Sequence, residues 1–302
     1  MPAGLLGIET LERAEIEAIL DRAKDFQTIQ NQPAKRLETL RGKLVALMFL
    51  EASTRTRASF EIAAKRLGAD SISISAGGSS LSKGESLLDT LTTLAAMRPS
   101  AIVMRHAASG APHFLARYLP TPIINAGDGT HEHPTQALLD ARTILDQRPS
   151  LEGLRVAIIG DIAHSRVARS NIFLLAKFGV DIVLCGPAPL VPPDLARMAP
   201  GVSITYDISE AISDAGVIMM LRVQLERRHE AAFPAAEYFS FYGLRLEHLD
   251  LARPDALVMH PGPINRGREI ASEVADSQRS VILNQVENGV AVRMAVLERI
   301  VG

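Results

Sequence analysis

The segment from Leu44 to Phe60 reads LVALMFLEASTRTRASF and joins two hydrophobic patterns. Its first part, Leu44–Phe49, is a continuous apolar run, which predicts a buried strand of a parallel sheet. After Thr56 the apolar residues recur at helical spacing, with Phe60 and Leu67 on one face. The segment therefore predicts a strand that leads directly into a helix, as in α/β folds.

The junction Ser53–Thr56 concentrates groups that bind anions. A helix begins here, so unpaired backbone N–H groups and the positive end of the helix dipole favour a negative charge. Ser53, Thr54 and Thr56 add hydroxyl groups, and Arg55 adds a planar guanidinium that matches a phosphate or carboxylate. A serine or threonine N-cap followed by solvated arginines is the alternative interpretation. Four such side chains in succession at a strand end favour the anion site.

The composition is that of a globular protein with room for two domains. The chain has 302 residues, of which 47% are apolar and 22% charged. The formal net charge of −2 gives no reason to expect a nucleic acid or a membrane surface as partner. The single cysteine, Cys185, follows an apolar run and is expected to be a buried strand thiol in a reducing compartment. Because residues 1–8 lack a signal-peptide pattern and no apolar run approaches the ~20 residues that span a bilayer, we expect a cytoplasmic protein.

Strands alternate with helices in both halves of the chain. This order predicts two doubly wound α/β domains with parallel sheets and the active site between them. The polar turn Arg148–Ser150 is the expected boundary. We therefore assign residues 1–148 to the first domain and residues 149–284 to the second, and expect residues 285–302 to form a helix that packs back on the first domain.

Three further segments carry local predictions. Ser71–Ser75 alternates polar and apolar residues, as in a strand with one solvated face. Residues 126–130 are rich in glycine and predict a tight turn, and residues 225–241 predict a long surface loop. Residues 76–84 are small and polar, which is typical of a mobile loop.

The polar motifs that could bind or activate a substrate all follow predicted strands. These motifs are Ser53–Arg57, Arg105, His133, Arg166, Arg222 and His260–Pro263. Ligands of parallel α/β sheets bind at the carboxyl ends of the strands, so we expect one composite site. The motifs contain several cations and few carboxylates, which suits substrates with several negative charges.

The sequence predicts neither a metal nor a cofactor for this site. His131 and His133 lie two residues apart, without a cysteine or paired carboxylates at a usual ligand spacing. The segment after Gly160 lacks the glycine fingerprint of dinucleotide-binding proteins, and the chain has neither a P-loop nor a Gly-x-Ser-x-Gly elbow. A nicotinamide-dependent dehydrogenase is therefore disfavoured.

The chain resembles the transcarbamylase family along its whole length. Ser53–Arg57 is similar to the family's carbamoyl-phosphate signature, and His133–Gln136 is similar to its His-Pro-Thr-Gln motif. Asp161–Arg166, Arg222–Gln224 and His260–Pro263 resemble the aspartate branch, whereas the His-Cys-Leu-Pro and Ser-Met-Gly stretches of the ornithine branch do not occur. The resemblance implies transfer of the carbamoyl group from carbamoyl phosphate to L-aspartate, in pyrimidine biosynthesis.

The resemblance also implies roles for individual residues. The phosphate would be held by Ser53, Thr54, Arg55, Thr56 and Arg105. The carbonyl oxygen would be polarised by Thr56, Arg105 and His133. The carbamoyl NH2 would be oriented by Gln136 and by the backbone of Pro261, Gly262 and Pro263. The two carboxylates of aspartate would be bound by Arg166 and Arg222, assisted by Gln224. Lys83 would reach both substrates from a neighbouring subunit, and a loop serine, Ser79, Ser80 or Ser82, would bind phosphate, with Ser80 preferred.

A site completed by a neighbour's Lys83 implies a homotrimer with shared active sites. Gly262 stands where the best-known bacterial members of the family have leucine. The chain therefore resembles the branch whose trimers associate with a dihydroorotase or dihydroorotase-like chain rather than with a zinc-bearing regulatory chain.

Other interpretations of the same residues remain open. Lys83 is also typical of a solvated loop, His133 of a helix start, and Arg166 and Arg222 of surface ion pairs. Glu51 and Arg227 are weaker candidates for an interdomain ion pair that favours closure. A transcarbamylase for another amine and a catalytically silent homologue are the alternative functions.

Overall fold

The structure is a computed structural model that describes residues 4–30, 37–75, 84–222 and 235–302. The chain forms two compact units. Unit 1 comprises Met1–Arg142 and Glu287–Gly302, and unit 2 comprises Thr143–Val286. The predicted boundary at Arg148 lies six residues beyond this division, and the C-terminal segment groups with unit 1. In the described ranges, no helix has the length and apolar character needed to cross a membrane.

Unit 1 contains a parallel sheet with the strand order β2-β1-β3-β4 among the described residues. Its strands are β1 (Leu44–Phe49), β2 (Asp70–Ser75), β3 (Ala101–His106) and β4 (Ile123–Asp128). Its helices are α1 (Arg13–Gln30), α2 (Thr54–Arg66), α3 (Leu87–Ala96), α4 (Ala111–Ala116) and, in its larger part, α5 (Pro134–Gln147).

The predicted strand and helix around the opening segment are confirmed. β1 spans Leu44–Phe49, and its residues from Val45 onward are buried between β2 and β3. On α2, Phe60 and the alanines of the same face are buried, and Leu67 at the C-cap is fully buried. The apolar run fills an inner strand, and the helical face covers it.

Two local predictions for unit 1 have different outcomes. The strand predicted at Ser71–Ser75 is confirmed as β2, and Ile74 packs against an apolar core cluster, although Ile72 on the same face is 38% exposed. The predicted turn at residues 126–130 begins later, because β4 continues to Asp128. The side chain of Asn125 supports this extension by accepting a hydrogen bond from the Gly127 N–H at 2.8 Å.

Unit 2 contains a second parallel sheet with the order β7-β6-β5-β8-β9 among the described residues. Its strands are β5 (Arg155–Ile159), β6 (Asp181–Cys185), β7 (Val202–Thr205), β8 (Val217–Met220) and β9 (Leu257–Met259). The helices that follow α5 are α6 (Arg166–Ala176), α7 (Ile208–Ile212), α8 (Ala235–Tyr242), α9 (Leu246–Leu249), α10 (Ser272–Ala275) and α11 (Ile282–Val301), the last of which continues into unit 1. The prediction of two parallel-sheet α/β domains is confirmed.

Two features of unit 2 bear on the predictions. Cys185 is fully buried in β6, as expected, and burial raises the pKa of its thiol to about 12. The predicted loop over residues 225–241 is wrong at its end, where α8 begins at Ala235. Tyr238 is buried, and Phe239 packs against the apolar core of the unit, so tertiary packing stabilises this short helix.

Gly160 permits the close approach of the loops after β5 and β8. Its φ is +141°, and a Cβ at this position would lie 2.9 Å from the Cβ of Leu221. We expect Gly160→Ala to lower the free energy of unfolding by about 2 kcal/mol or more, because both the backbone and the contact are strained. Denaturant unfolding measures the change. Gly179→Ala is the matched control, since Gly179 also has positive φ but has open space at its Cβ. An equal loss in the two variants would contradict the role of the Leu221 contact.

Candidate active site

The helix start after β1 has the geometry expected of an anion site. Ser53 is the N-cap of α2 with an extended backbone, and its side chain makes no capping hydrogen bond. Thr54 and Arg55 are exposed, whereas Thr56 is 7% exposed. The helix dipole and the first N–H groups of α2 therefore face the same region as these polar side chains. Side-chain capping, the alternative explanation for Ser53, is not observed.

Arg105 adds a second cation at this edge of the sheet. It lies at the end of β3, opposite Phe49 of β1 in the parallel register. Its Nη2 donates to Oε1 of Glu51 at 3.0 Å and its Nη1 donates to the Ala126 carbonyl at 3.2 Å. The side chains of this ion pair are only 11% and 13% exposed. The pair orients the guanidinium next to the start of α2, where it can exchange a carboxylate partner for a phosphate.

The turn between β4 and α5 places His133. Asp128 is fully buried and organises the turn, because its Oδ1 accepts from the Asn125 side chain at 2.8 Å and from the Glu132 N–H at 3.1 Å. His133 is 4% exposed, and its carbonyl accepts from the Gln136 N–H at 2.9 Å. The imidazole thus stands at the start of α5, beyond the carboxyl end of β4.

Gln136 is held by a residue that the sequence interpretation missed. Its Nε2 donates to Oδ1 of Asp140 at 2.9 Å, one turn further along α5. This bond directs the amide so that its carbonyl oxygen is the group that can accept from a substrate NH2. The i, i+4 spacing of Gln136 and Asp140 is a signal that could have identified the pair.

Arg293 of α11 is a second missed residue. It is 3% exposed, and its guanidinium lies 5.2 Å from the centre of the Phe60 ring. Burial and the charge of Arg105 lower the pKa of Arg293, and Asp140 partly opposes this effect. The positive charge of Arg105 is thus reinforced by a buried cation from the far end of the chain, for which no local sequence signal exists.

In unit 2, two arginines follow neighbouring strands. Arg166 is the first residue of α6, is 9% exposed and follows the loop after β5. Arg222 is half-buried and lies two residues after the end of β8, which pairs with β5. The Ser165 hydroxyl accepts from the Ala168 N–H at 3.1 Å and fixes the helix start that carries Arg166. Both guanidiniums therefore belong to one edge of the sheet.

The loop after β9 lies at the same edge and is anchored by buried charge. Nδ1 of His260 accepts from the Gly262 N–H at 2.8 Å, so its Nε2 carries the proton that faces Glu269 at 3.2 Å. Both side chains are fully buried. Gly262 is half-buried and Pro263 is exposed, and a cis peptide bond joins them. Glu269 was also missed by the sequence interpretation.

Some predicted site residues lie outside the described residues. These are Lys83, the candidate serines Ser79, Ser80 and Ser82, Gln224 and Arg227. Of the pair Glu51 and Arg227, only Glu51 is described, and it contacts Arg105. The roles assigned to all the site residues stay predictions.

Each unit thus carries cationic and polar side chains at the carboxyl edge of a parallel sheet, which defines an α/β protein for anionic substrates. The family model for the carbamoyl-P binding domain of aspartate/ornithine carbamoyltransferase matches residues 4–146. The model for the Asp/Orn binding domain matches residues 152–300. The chain belongs to the aspartate/ornithine carbamoyltransferase family.

Individual relatives cover the whole chain. An aspartate carbamoyltransferase catalytic subunit from Solibacter usitatus is 78% identical over 302 residues, which is 100% of both chains. A solved aspartate transcarbamoylase from Trypanosoma cruzi, in complex with N-(phosphonacetyl)-L-aspartic acid, has a TM-score of 0.90 and 31% identity, covering 98% of this chain and 95% of that chain. An ornithine carbamoyltransferase from Pyrococcus furiosus has a TM-score of 0.89 and 30% identity, covering 98% and 96%.

Proposed function

We propose that this chain transfers the carbamoyl group of carbamoyl phosphate to the amine of L-aspartate, giving N-carbamoyl-L-aspartate and phosphate for pyrimidine biosynthesis. One observation carries the choice of aspartate. Arg166 and Arg222 follow the neighbouring strands β5 and β8, so two guanidiniums can meet a dicarboxylate. The name of the Solibacter usitatus relative agrees with this choice.

Unit 1 binds carbamoyl phosphate in this proposal. Ser53, Thr54, Arg55 and Thr56 at the start of α2 bind the phosphate together with Arg105. Thr56, Arg105 and His133 donate to the carbonyl oxygen, which gains negative charge as the amine attacks. Gln136 accepts from the carbamoyl NH2, in the orientation set by Asp140.

Unit 2 binds aspartate through Arg166 and Arg222, assisted by Gln224. The backbone of Gly262 and Pro263 orients the carbamoyl NH2 of the other substrate. The amine nitrogen forms a bond to the carbamoyl carbon, and the bond from that carbon to the phosphate oxygen breaks. The departing phosphate accepts the amine proton. Because carbamoyl phosphate is already activated, the reaction needs no protein nucleophile, and catalysis is orientation plus fixed positive charge.

The test is carbamoyl-aspartate formation by the purified chain, with L-ornithine assayed in parallel. Activity with aspartate alone supports the proposal. Activity with ornithine alone would identify a transcarbamylase for another amine, and activity with neither would favour a silent homologue or a required partner chain.

We propose further that the chain is a homotrimer with shared active sites, in which Lys83 and Ser80 of one subunit serve a neighbour. Lys83→Ala and Arg55→Ala should each abolish most of the activity. The activity of mixed trimers of the two variants should then be about tenfold higher than that of either variant alone, because one shared site receives both intact residues. The measurement is carbamoyl-aspartate formation after subunit exchange verified by mass spectrometry. No gain after verified exchange would contradict shared sites.

The cellular setting is also a proposal. The enzyme acts in the cytoplasm. Its trimers associate with a dihydroorotase or dihydroorotase-like chain, or else with a regulatory chain. Gly262 and the sequence after it support the first of these partners. Co-purification of the tagged chain from its own cells tests the association.

A further inference from the structure

Three side chains that can ligate a metal meet in unit 1, apart from the residues assigned to the substrates. His113 lies in α4, Asp128 ends β4, and His131 follows it by three residues. One ligand atom of each lies within 4.8 Å of the other two. Nδ1 of His131 is 3.1 Å from Oδ2 of Asp128, and the His113 and His131 ring centres are 5.2 Å apart.

The polar environment of this group is suited to an ion. Nδ1 of His113 is buried, and within the described ranges no hydrogen-bond partner reaches it. The carboxylate of Asp128 is already oriented, because Asn125 and the Gly110 and Glu132 N–H groups donate to it. A buried nitrogen without a partner is costly, and ligands fixed by surrounding hydrogen bonds bind metals more tightly.

We propose that His113, Asp128 and His131 bind one zinc ion. Two imidazoles and one carboxylate are a donor set that suits zinc, whereas calcium and magnesium prefer oxygen ligands alone. The ion takes the place of the proton between His131 and Asp128, and this proton leaves to solvent. Three protein ligands leave the fourth position of a tetrahedron to water.

A second group, Glu9, His131 and Glu132, shares one histidine with this site. It is the weaker candidate, because it offers a single imidazole. Both oxygens of Glu132 also accept backbone hydrogen bonds, from Ile8 at 2.8 Å and from Glu9 at 3.3 Å. Glu9 is exposed. The two groups predict different responses to substitution of Glu9.

The experiment is a zinc titration of the full chain in competition with a chromophoric chelator. The expected result is one zinc per chain, with affinity lowered about tenfold or more by His113→Gln and by His131→Asn. Cobalt in place of zinc should show the visible absorption of a four-coordinate site, and this absorption should disappear in both variants. Circular dichroism verifies that the variants are folded. Asp128 is left unchanged, because it organises the turn before His133.

Two control variants should bind zinc as the parent does. His164→Gln removes the histidine of another i, i+3 pair, in which Nδ1 of His164 lies 2.7 Å from Asp161 Oδ1. Glu9→Gln removes a carboxylate of the second group. The proposal is overturned if the parent chain binds no stoichiometric zinc, if the folded His113 and His131 variants retain the parent affinity, or if Glu9→Gln or His164→Gln weakens binding as much as they do.

Discussion

Replacement of Arg105 by alanine is expected to lower the turnover of carbamoyl transfer about a thousandfold. Loss of a single donor to a developing oxyanion costs about 10²–10³ in rate, and Arg105 is also proposed to bind the phosphate. Steady-state kinetics with both substrates near saturation measures the change. The interaction strengthens as charge develops on the carbonyl oxygen. We therefore expect kcat to fall by a larger factor than the KM for carbamoyl phosphate rises.

The ion pair with Glu51 requires a control for folding. Arg105→Ala leaves the carboxylate of Glu51, which is 13% exposed, without the guanidinium seen at 3.0 Å. The double variant Arg105→Ala with Glu51→Gln removes this charge and should recover stability without recovering turnover. Arg117→Ala, at the exposed C-cap of α4, is a matched loss of an arginine and should leave the rate within about twofold of the parent. If the double variant recovered turnover, Arg105 would be structural.

Replacement of Arg166 by alanine is expected to raise the KM for aspartate about fiftyfold while the KM for carbamoyl phosphate stays nearly constant. Hydrogen bonds between charged groups contribute about 1.5–3 kcal/mol, which corresponds to this range of affinity. Arg166 is 9% exposed at the start of α6, so its guanidinium is poorly solvated and its position is well defined. Initial rates across an aspartate series measure the effect.

The same helix supplies the control. Arg169 lies three residues further along α6, and its replacement by alanine should leave the KM for aspartate within about twofold. Arg166→Lys should recover only part of the affinity, because an ammonium group lacks the planar fork of the guanidinium. A parallel rise in both KM values, or an equal effect of Arg169→Ala, would show that Arg166 supports the fold rather than aspartate.

The local sequence pattern was sufficient to predict the structure wherever neighbouring residues in the sequence determine it. The apolar run of β1, the helical face of α2 and the helix start at Ser53 were predicted because each depends on spacing within a few residues. Arg105 and His133 follow strands of one sheet, Arg166 and Arg222 follow strands of the other, and this order was predicted for the same reason. Parallel strands end at one edge, so residues that follow them share that edge.

The sequence pattern alone was insufficient to predict the structure where packing against a distant segment determines it. β2 has the alternation of a half-buried strand, and Ile74 packs against the core, but Ile72 on the same face is 38% exposed. α8 forms where the sequence indicated a loop, since Tyr238 and Phe239 find an apolar core to pack against.

The sequence by itself determined the two parallel α/β domains, the family and most of the candidate site residues. Only the tertiary structure decided how those residues are supported. In the folded chain Glu51 accepts a hydrogen bond from Arg105, and Asp140 accepts one from Gln136. The guanidinium of Arg293 lies over the ring of Phe60, more than 200 residues away in the sequence. The tertiary structure also brought the His113 ring to within 5.2 Å of the His131 ring. Strand and helix patterns are local, whereas charges and ligands interact through space, so their partners become visible only when the chain is folded.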